Sequence, residues 1–125
     1  MHGSLVFQIA NTLALVSWIY LLLFPFRPST SKIIIGSTVM LLSLAYAILI
    51  FQSLAPTDFS KFSTLEGVTS MMALPGAALV GWLHYLAFDL MVGLFIAANG
   101  AKHGINRWAL LPCVALTFVV GPVGL

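Results

Sequence analysis

Two ionisable side chains, His84 and Asp89, interrupt an apolar stretch that is long enough to cross a bilayer. The stretch covers residues 77–98, and the segment GWLHYLAFDLMVG at residues 81–93 carries both side chains. An ionisable group at the centre of a membrane helix costs about 2.5–3.5 kcal/mol on insertion scales, so such groups usually face a bundle interior or a polar pathway. A helix that served only as an anchor would gain from leucine at both positions. The pair therefore indicates a functional site.

Helical geometry divides the polar and aromatic residues of this segment into two stripes. At about 100° per residue, Asp89 lies on one stripe with Trp82 and Tyr85, and His84 lies on another with Phe88. His84 and Asp89 are about 140° apart around the helix axis and about 7.5 Å apart along it, so they cannot form a direct pair. We expect this helix to be the most enclosed of the chain, with both side chains pointing into the bundle or at a bound molecule.

Each of the two residues also has a structural interpretation. Asp89 can be a structural acid that is hydrogen-bonded to Tyr85 one turn earlier, and His84 can be a neutral imidazole that bridges two helices. In the first span, Asn11 lies deep enough in the apolar segment to need a hydrogen-bond partner. Close helix approach is favoured by two stripes of small residues, which are Gly36, Ser43 and Ala47 in the second span and Cys113, Thr117 and Gly121 in the fourth.

Composition excludes several classes of protein. Of the 125 residues, 61% are hydrophobic and 6% are charged, whereas a soluble domain has about 25% charged residues. The formal charge of +2 comes with no basic patch, so we predict no nucleic-acid partner. The single cysteine, Cys113, excludes an internal disulfide and a multi-cysteine metal site, and we predict no metal site. The chain is predicted to be a multi-pass integral membrane protein.

Hydropathy divides the chain into four candidate spans. A membrane helix needs roughly 20 apolar residues, and the segments that qualify or nearly do are residues 5–24, 33–55, 77–98 and 107–125. No Lys or Arg precedes the first span, which favours a retained helix over a cleaved signal peptide. The sequence predicts an all-α fold, a four-helix transmembrane bundle that forms a single membrane domain over residues 1–125.

The connection between the second and third spans has its own helical pattern. Residues 58–75 read DFSKFSTLEGVTSMMALP, with apolar residues at helical spacing, which predicts a short interfacial helix. Ser63 or Thr64 is placed to cap its start, and Glu66 then falls in the first turn, where negative charge is favoured. The alternative is that Glu66 belongs to a lid over the site.

Basic residues predict how the spans are oriented. The two short loops hold Arg27, Lys32, Lys102 and Arg107, whereas the opposite side has only Lys61. Because Lys and Arg concentrate in the loops on the cytoplasmic side, we expect the short loops on the cytoplasmic or stromal side and both termini on the other.

The central segment also resembles a known family. The segment GWLHYLAFDLMVG, with FSTLEGVTSMMALPGAALV before it and LLPCVALTFVVGPVGL after it, is similar to the neoxanthin synthase family. This is the abscisic-acid-deficient type of small membrane protein, and the resemblance covers nearly the whole chain. Plant members are associated with converting the epoxycarotenoid violaxanthin into neoxanthin, so the resemblance implies carotenoid biosynthesis in a bacterial inner or photosynthetic membrane, or in a thylakoid.

The resemblance implies an intramolecular isomerase. Opening an end-ring epoxide to an allenic alcohol requires an acid at the epoxide oxygen and a base that removes a proton from the polyene, and it requires no redox cofactor. Protonated Asp89 would be the acid and neutral His84 the base, a division that burial sets. A bound carotenoid is the expected ligand, and the residues expected to bind it are Trp82, Tyr85, Phe88, Asn11 and Glu66.

The same residues fit a protein without catalytic activity. A small membrane subunit could hold a pigment, a quinone or a partner complex, for example within a photosynthetic assembly, with Asp89 or His84 on the polar end ring. A third hypothesis is that His84 is an axial ligand of chlorophyll. The expected partners are accordingly membrane lipid, a carotenoid or other prenyl lipid, and a larger membrane complex.

Overall fold

A computed structural model describes residues 2–54 and 59–125, and every regular element within them is helical. The α-helices are α1 (His2–Leu23), α2 (Pro28–Ile34), α3 (Met40–Leu54), α4 (Leu65–Met72), α5 (Pro75–Lys102) and α6 (Arg107–Val120). A π-helical turn (Ile35–Val39) joins α2 to α3 without a break, and two 3₁₀ helices cover Phe59–Ser63 and Gly121–Gly124.

Four of these helical segments are long and apolar enough to cross a membrane. They are His2–Leu23, Pro28–Ser53, Pro75–Lys102 and Arg107–Gly124. The prediction of an all-α bundle with four spans is therefore confirmed, and so is the short helix, α4, between the second and third spans. Residue 55, where we expected the second span to end, lies outside the described residues.

Prolines set several of the helix boundaries. The second span was expected to begin at residue 33, but it begins at Pro28, which occupies the first turn of α2. Pro75 begins α5 in the same way. Proline suits this position because its missing N–H would have no partner within the helix. Pro112 lies inside α6, which a membrane helix tolerates when neighbouring groups satisfy the freed backbone.

The third span is longer than its sequence suggested. We expected it to end at residue 98, before Asn99 and Gly100, but α5 continues to Lys102. Gly100 does not end the helix because it serves a packing role instead. A Cβ at this position would lie 2.6 Å from Cδ1 of Leu110, so glycine allows α6 to approach closely. The chain turns at Gly104, whose φ of 67° favours glycine.

α5 lies at the centre of the bundle, in contact with α1, α3 and α6. In the most apolar 18 residues of each span, the buried share is 33% for α5, 17% for the second span and 28% for the first and fourth. The prediction that the third span is the most enclosed is confirmed. Leu83, Leu90 and Leu94 of α5 form the middle of the core.

Two polar contacts tie the first span to its neighbours. The hydroxyls of Ser17 and Thr38 share a buried hydrogen bond of 2.5 Å, which links α1 to the π-helical turn. At the end of α1, Nη2 of Arg107 donates to the carbonyl oxygen of Leu23 at 3.0 Å. This bond places the two short connections at the same end of the bundle, as the charge pattern implies. Their orientation across a membrane stays a prediction.

Candidate functional site

Asp89 is buried in the middle of α5, where only 8% of its surface is exposed. Its Oδ2 atom is buried and has no hydrogen-bond partner among the described residues. Tyr85, one turn earlier, is close enough to interact with the carboxyl group. On the other side, a Cβ at Gly121 would lie 3.3 Å from Oδ1, and the φ of Gly121 is 53°. The end of α6 therefore packs directly against the carboxyl group.

A cavity of about 390 Å³ opens beside this carboxyl group, between α1, α5 and α6. We call it the Asp89 cavity. It falls within the range of about 300–1,000 Å³ that is usual for small-molecule sites. Its polar and aromatic lining consists of Asn11, Trp18, Trp82, Tyr85, Asp89 and Phe118.

The aromatic side chains of the cavity pack in two pairs. Trp18 and Phe118 meet edge to face with ring centroids 5.4 Å apart, and Trp82 stacks on Tyr85 at 5.3 Å. Tyr85 is 37% exposed, Trp82 38% and Phe118 43%, so the cavity opens on the outer surface of the bundle. Aromatic walls around a carboxyl group provide both an apolar surface and a polar end point.

Asn11 and Trp82 join α1 to α5 across the cavity. Nε1 of Trp82 donates to Oδ1 of Asn11 at 2.7 Å, so Asn11 has the partner that its depth in the first span required. Phe7 contacts the same indole ring at 5.8 Å between centroids. These contacts fix the plane of Trp82 relative to the cavity.

Trp18 reaches the cavity because α5 carries a glycine opposite it. A Cβ at Gly93 would lie 2.7 and 2.8 Å from two atoms of the indole ring and 3.1 Å from Leu21. Trp18 is 2% exposed and Leu21 is fully buried, so neither has room to move away. Gly93 thus determines how closely α1 and α5 approach one turn beyond Asp89.

His84 lies away from this cavity. Its ring is exposed and stacks on Phe88 at 4.5 Å, and it contacts Tyr46 of α3 at 5.8 Å. The side chain lines a different cavity, between α3 and α5. The separation of about 140° around the helix thus directs His84 toward α3 and Asp89 toward α1 and α6. The structure does not bring the expected acid and base together.

The two remaining candidates are also outside the Asp89 cavity. Phe88 is 61% exposed, and Glu66 is exposed in the first turn of α4. Thr64 caps this helix, accepting a hydrogen bond of 3.0 Å from the N–H of Gly67. The predicted cap is confirmed. Glu66 occupies the first-turn position that favours negative charge.

Two residues that shape the site were not among the predicted site residues: Trp18 and Phe118. Gly121 was expected only at a helix contact, and it lies against the carboxyl group of Asp89. Trp18 lies two helical turns after Asn11, so its position on the same face of the first span was a usable signal. Phe118 lies in an evenly apolar helix that gives no such signal. No cluster of three or more His, Cys, Asp or Glu suited to a metal ion occurs in the part of the chain that the structure describes.

Comparison with known families matches residues 5–125 to the ABA4-like family, described as ABA DEFICIENT 4-like. The chain belongs to this family. No curated protein and no solved structure matches it. The match covers nearly all of the four spans of this ABA4-like protein and includes every residue of the Asp89 cavity. The resemblance seen in the central segment is therefore confirmed at the level of the family.

Proposed function

We propose that this ABA4-like protein binds an oxygenated carotenoid in the Asp89 cavity, with the carboxyl group of Asp89 on an oxygen of the end ring. One observation carries the proposal. Asp89 is buried, yet its Oδ2 atom has no partner among the described residues. A buried polar group without a hydrogen bond is costly, by about 1–3 kcal/mol in protein mutational data. Asp89 lines the neighbouring cavity, so a rotation of its carboxyl group would bring this oxygen to a ligand oxygen there and remove that cost.

The lining of the cavity suits a ligand with an apolar body and a polar tip. The Trp82–Tyr85 stack and the Trp18–Phe118 pair provide flat apolar surfaces for a polyene. In its acid form, Asp89 donates a hydrogen bond to an epoxide oxygen. As a carboxylate, it accepts one from a ring hydroxyl. The opening toward lipid admits a ligand from the bilayer.

We further propose that the protein converts the bound epoxide to an allenic alcohol. Because His84 lies on another side of α5, we assign both proton transfers to Asp89. One carboxyl oxygen gives its proton to the epoxide oxygen as the carbon–oxygen bond breaks. The other oxygen takes the proton that the adjacent polyene carbon loses, and the electron pair of that C–H bond forms the new double bond. The reaction is an isomerisation that needs no oxidant or reductant.

The test compares Asp89→Asn with His84→Gln in purified protein. Asp89→Asn keeps the size of the side chain and some of its hydrogen bonding but removes the titratable proton. Each variant is incubated with an epoxycarotenoid in detergent, the products are separated by chromatography, and the pigment retained by the protein is measured after gel filtration. We expect Asp89→Asn to abolish conversion and His84→Gln to preserve it.

The outcomes distinguish the alternatives that the sequence left open: an isomerase, a binding subunit without catalytic activity, and a structural role for Asp89. Conversion by Asp89→Asn at the wild-type rate would eliminate Asp89 as the acid, and loss of conversion in His84→Gln would restore the acid–base pair. If the wild type converts nothing but retains the carotenoid, and Asp89→Asn releases it, the protein is a binding subunit. Retention of a quinone or chlorophyll in place of the carotenoid would overturn the ligand class. If Asp89→Asn does not fold, Asp89 has a structural role. The Asp89 cavity is then tested with Tyr85→Phe in the same conversion and retention assays.

A further inference from the structure

A second cavity, of about 580 Å³, lies between α3, α4 and α5. We call it the His84 cavity, because His84 lines it together with Tyr46 of α3, Met72 of α4 and Gly81 of α5. Lys61, from the 3₁₀ helix before α4, also belongs to its lining. None of the residues that line the Asp89 cavity takes part. The two cavities are separate sites on different sides of α5.

The His84 cavity is elongated along α5. Its lining extends from Gly76 to His84, which is eight residues or about 12 Å of helix. A Cβ at Gly81 would lie 3.4 Å from Sδ of Met72, so glycine leaves width halfway along the cavity. Methionine adapts its shape readily to a neighbouring apolar group. These features suit an apolar chain that lies parallel to α5.

The charged residue of the cavity lies at the end where α4 is found. Lys61 is exposed, and no acidic residue is among the described residues that line the cavity. The other end holds the rings of Tyr46 and His84, whose centroids are 5.8 Å apart. The cavity therefore combines a cation near the membrane surface with an apolar interior that ends at aromatic rings.

We propose that the His84 cavity binds an acyl amphiphile with an anionic head group. The acyl chain lies along α5 from Gly76 toward His84, and the head group, a carboxylate or a phosphate, pairs with Lys61. This site is independent of the Asp89 cavity and goes beyond the proposed carotenoid function. A basic residue near a membrane surface contributes about 1 kcal/mol toward an anionic partner, which corresponds to about fivefold in affinity.

The test uses photo-crosslinking in nanodiscs of phosphatidylcholine, which carries no net charge. Three probes each carry a diazirine on a matched acyl chain: a fatty acid, the corresponding fatty alcohol, and a phosphatidylglycerol. Labelled peptides are identified by mass spectrometry. We expect labelling of the α4–α5 segment, with an anionic probe labelling it about fivefold more than the alcohol. Lys61→Gln should abolish this preference, and Lys102→Gln, at the other end of the bundle, should preserve it.

Gly81→Leu tests the cavity itself, because the added side chain occupies the space beside Met72 and should remove labelling by all three probes. Preference for the fatty acid would identify a free carboxylate as the head group, and preference for phosphatidylglycerol alone would identify a lipid phosphate. Equal labelling by acid, phospholipid and alcohol would overturn the proposal, as would anionic preference that persists in Lys61→Gln. Because Lys61 is exposed, that variant keeps the test decisive even if Gly81→Leu does not fold.

Discussion

Replacing Gly93 by alanine tests the contact that shapes the Asp89 cavity. The new methyl group would lie 2.7 Å from the nearest ring atom of Trp18 and 3.1 Å from Cδ2 of Leu21. Both side chains are already almost fully buried, and Gly93 itself is buried in α5. The clash can be relieved only by moving α1 away from α5 or by turning the indole ring out of its place.

The size of the effect follows from two opposing terms. An extra methyl group in a packed core typically costs about 1–3 kcal/mol. Alanine in a helix interior gains about 0.5–1 kcal/mol over glycine. We therefore expect Gly93→Ala to lower the free energy of unfolding by about 0–2.5 kcal/mol, and by about 1–3 kcal/mol relative to a variant that shows only the gain in helix propensity. It should also weaken carotenoid retention, because Trp18 forms a wall of the cavity.

Gly36→Ala is the matched control. Nothing lies within 4 Å of a Cβ placed at Gly36, so this variant should show only the gain in helix propensity. Unfolding of both variants is followed by circular dichroism as sodium dodecyl sulfate is titrated into mild detergent micelles. Equal stability of Gly93→Ala and Gly36→Ala would contradict this prediction, since Trp18 would then approach α5 less closely than the structure shows.

Three further predictions concern the polar contacts and the topology. Asn11→Leu removes the acceptor of the Trp82 indole N–H and should cost about 0.6 kcal/mol, with 1.7 as the upper bound for such bonds; unchanged unfolding in detergent would show that the bond contributes nothing. Arg107→Gln loses a cation at the C-terminal end of α1, which is worth about 0.3–1 kcal/mol, but it also removes a cation from the first turn of α6, where positive charge is unfavourable. The change should therefore lower the free energy of unfolding by less than about 1 kcal/mol, and a larger loss would contradict this balance. Cysteines at Ser4 and Lys102 should react with an impermeant reagent from opposite sides of intact vesicles, and labelling of both from one side would refute the topology.

The sequence predicted the features that depend on local chemistry. Span number follows from hydropathy, because each span must satisfy its own backbone hydrogen bonds within the bilayer. The cap at Thr64 and the hydrogen bond required by Asn11 also depend on single residues. Both are present in the structure, where Thr64 accepts from the N–H of Gly67 and Asn11 accepts from Trp82. The continuation of α5 to Lys102 could not be predicted in this way. Gly100 is needed for close packing against Leu110 of α6 and does not end the helix, and sequence alone does not distinguish these two roles of a glycine.

Helix faces were harder to predict than helix positions. In a soluble protein, polar residues mark the outer face of a helix, but in a membrane lipid tails are as apolar as a leucine core. The small-residue stripe of the second span shows the consequence. Gly36 was expected at a helix contact, but it faces open space. In the fourth span only Gly121 meets the expectation, because a Cβ there would lie 3.3 Å from Oδ1 of Asp89 on α5, whereas Thr117 packs against Gly124 of its own segment.

The two sides of α5 determine what the protein can do with its ionisable residues. His84 and Asp89 are five residues apart, so a straight helix must direct them about 140° apart. They could act on one end ring only if the ligand wrapped around α5, but α5 is in contact with α1, α3 and α6. In the reaction that we propose, both proton transfers are therefore assigned to Asp89, and His84 lines the separate cavity between α3 and α5. The angle between His84 and Asp89 could be predicted from their spacing in the sequence. Which helices each side chain meets could be seen only in the structure.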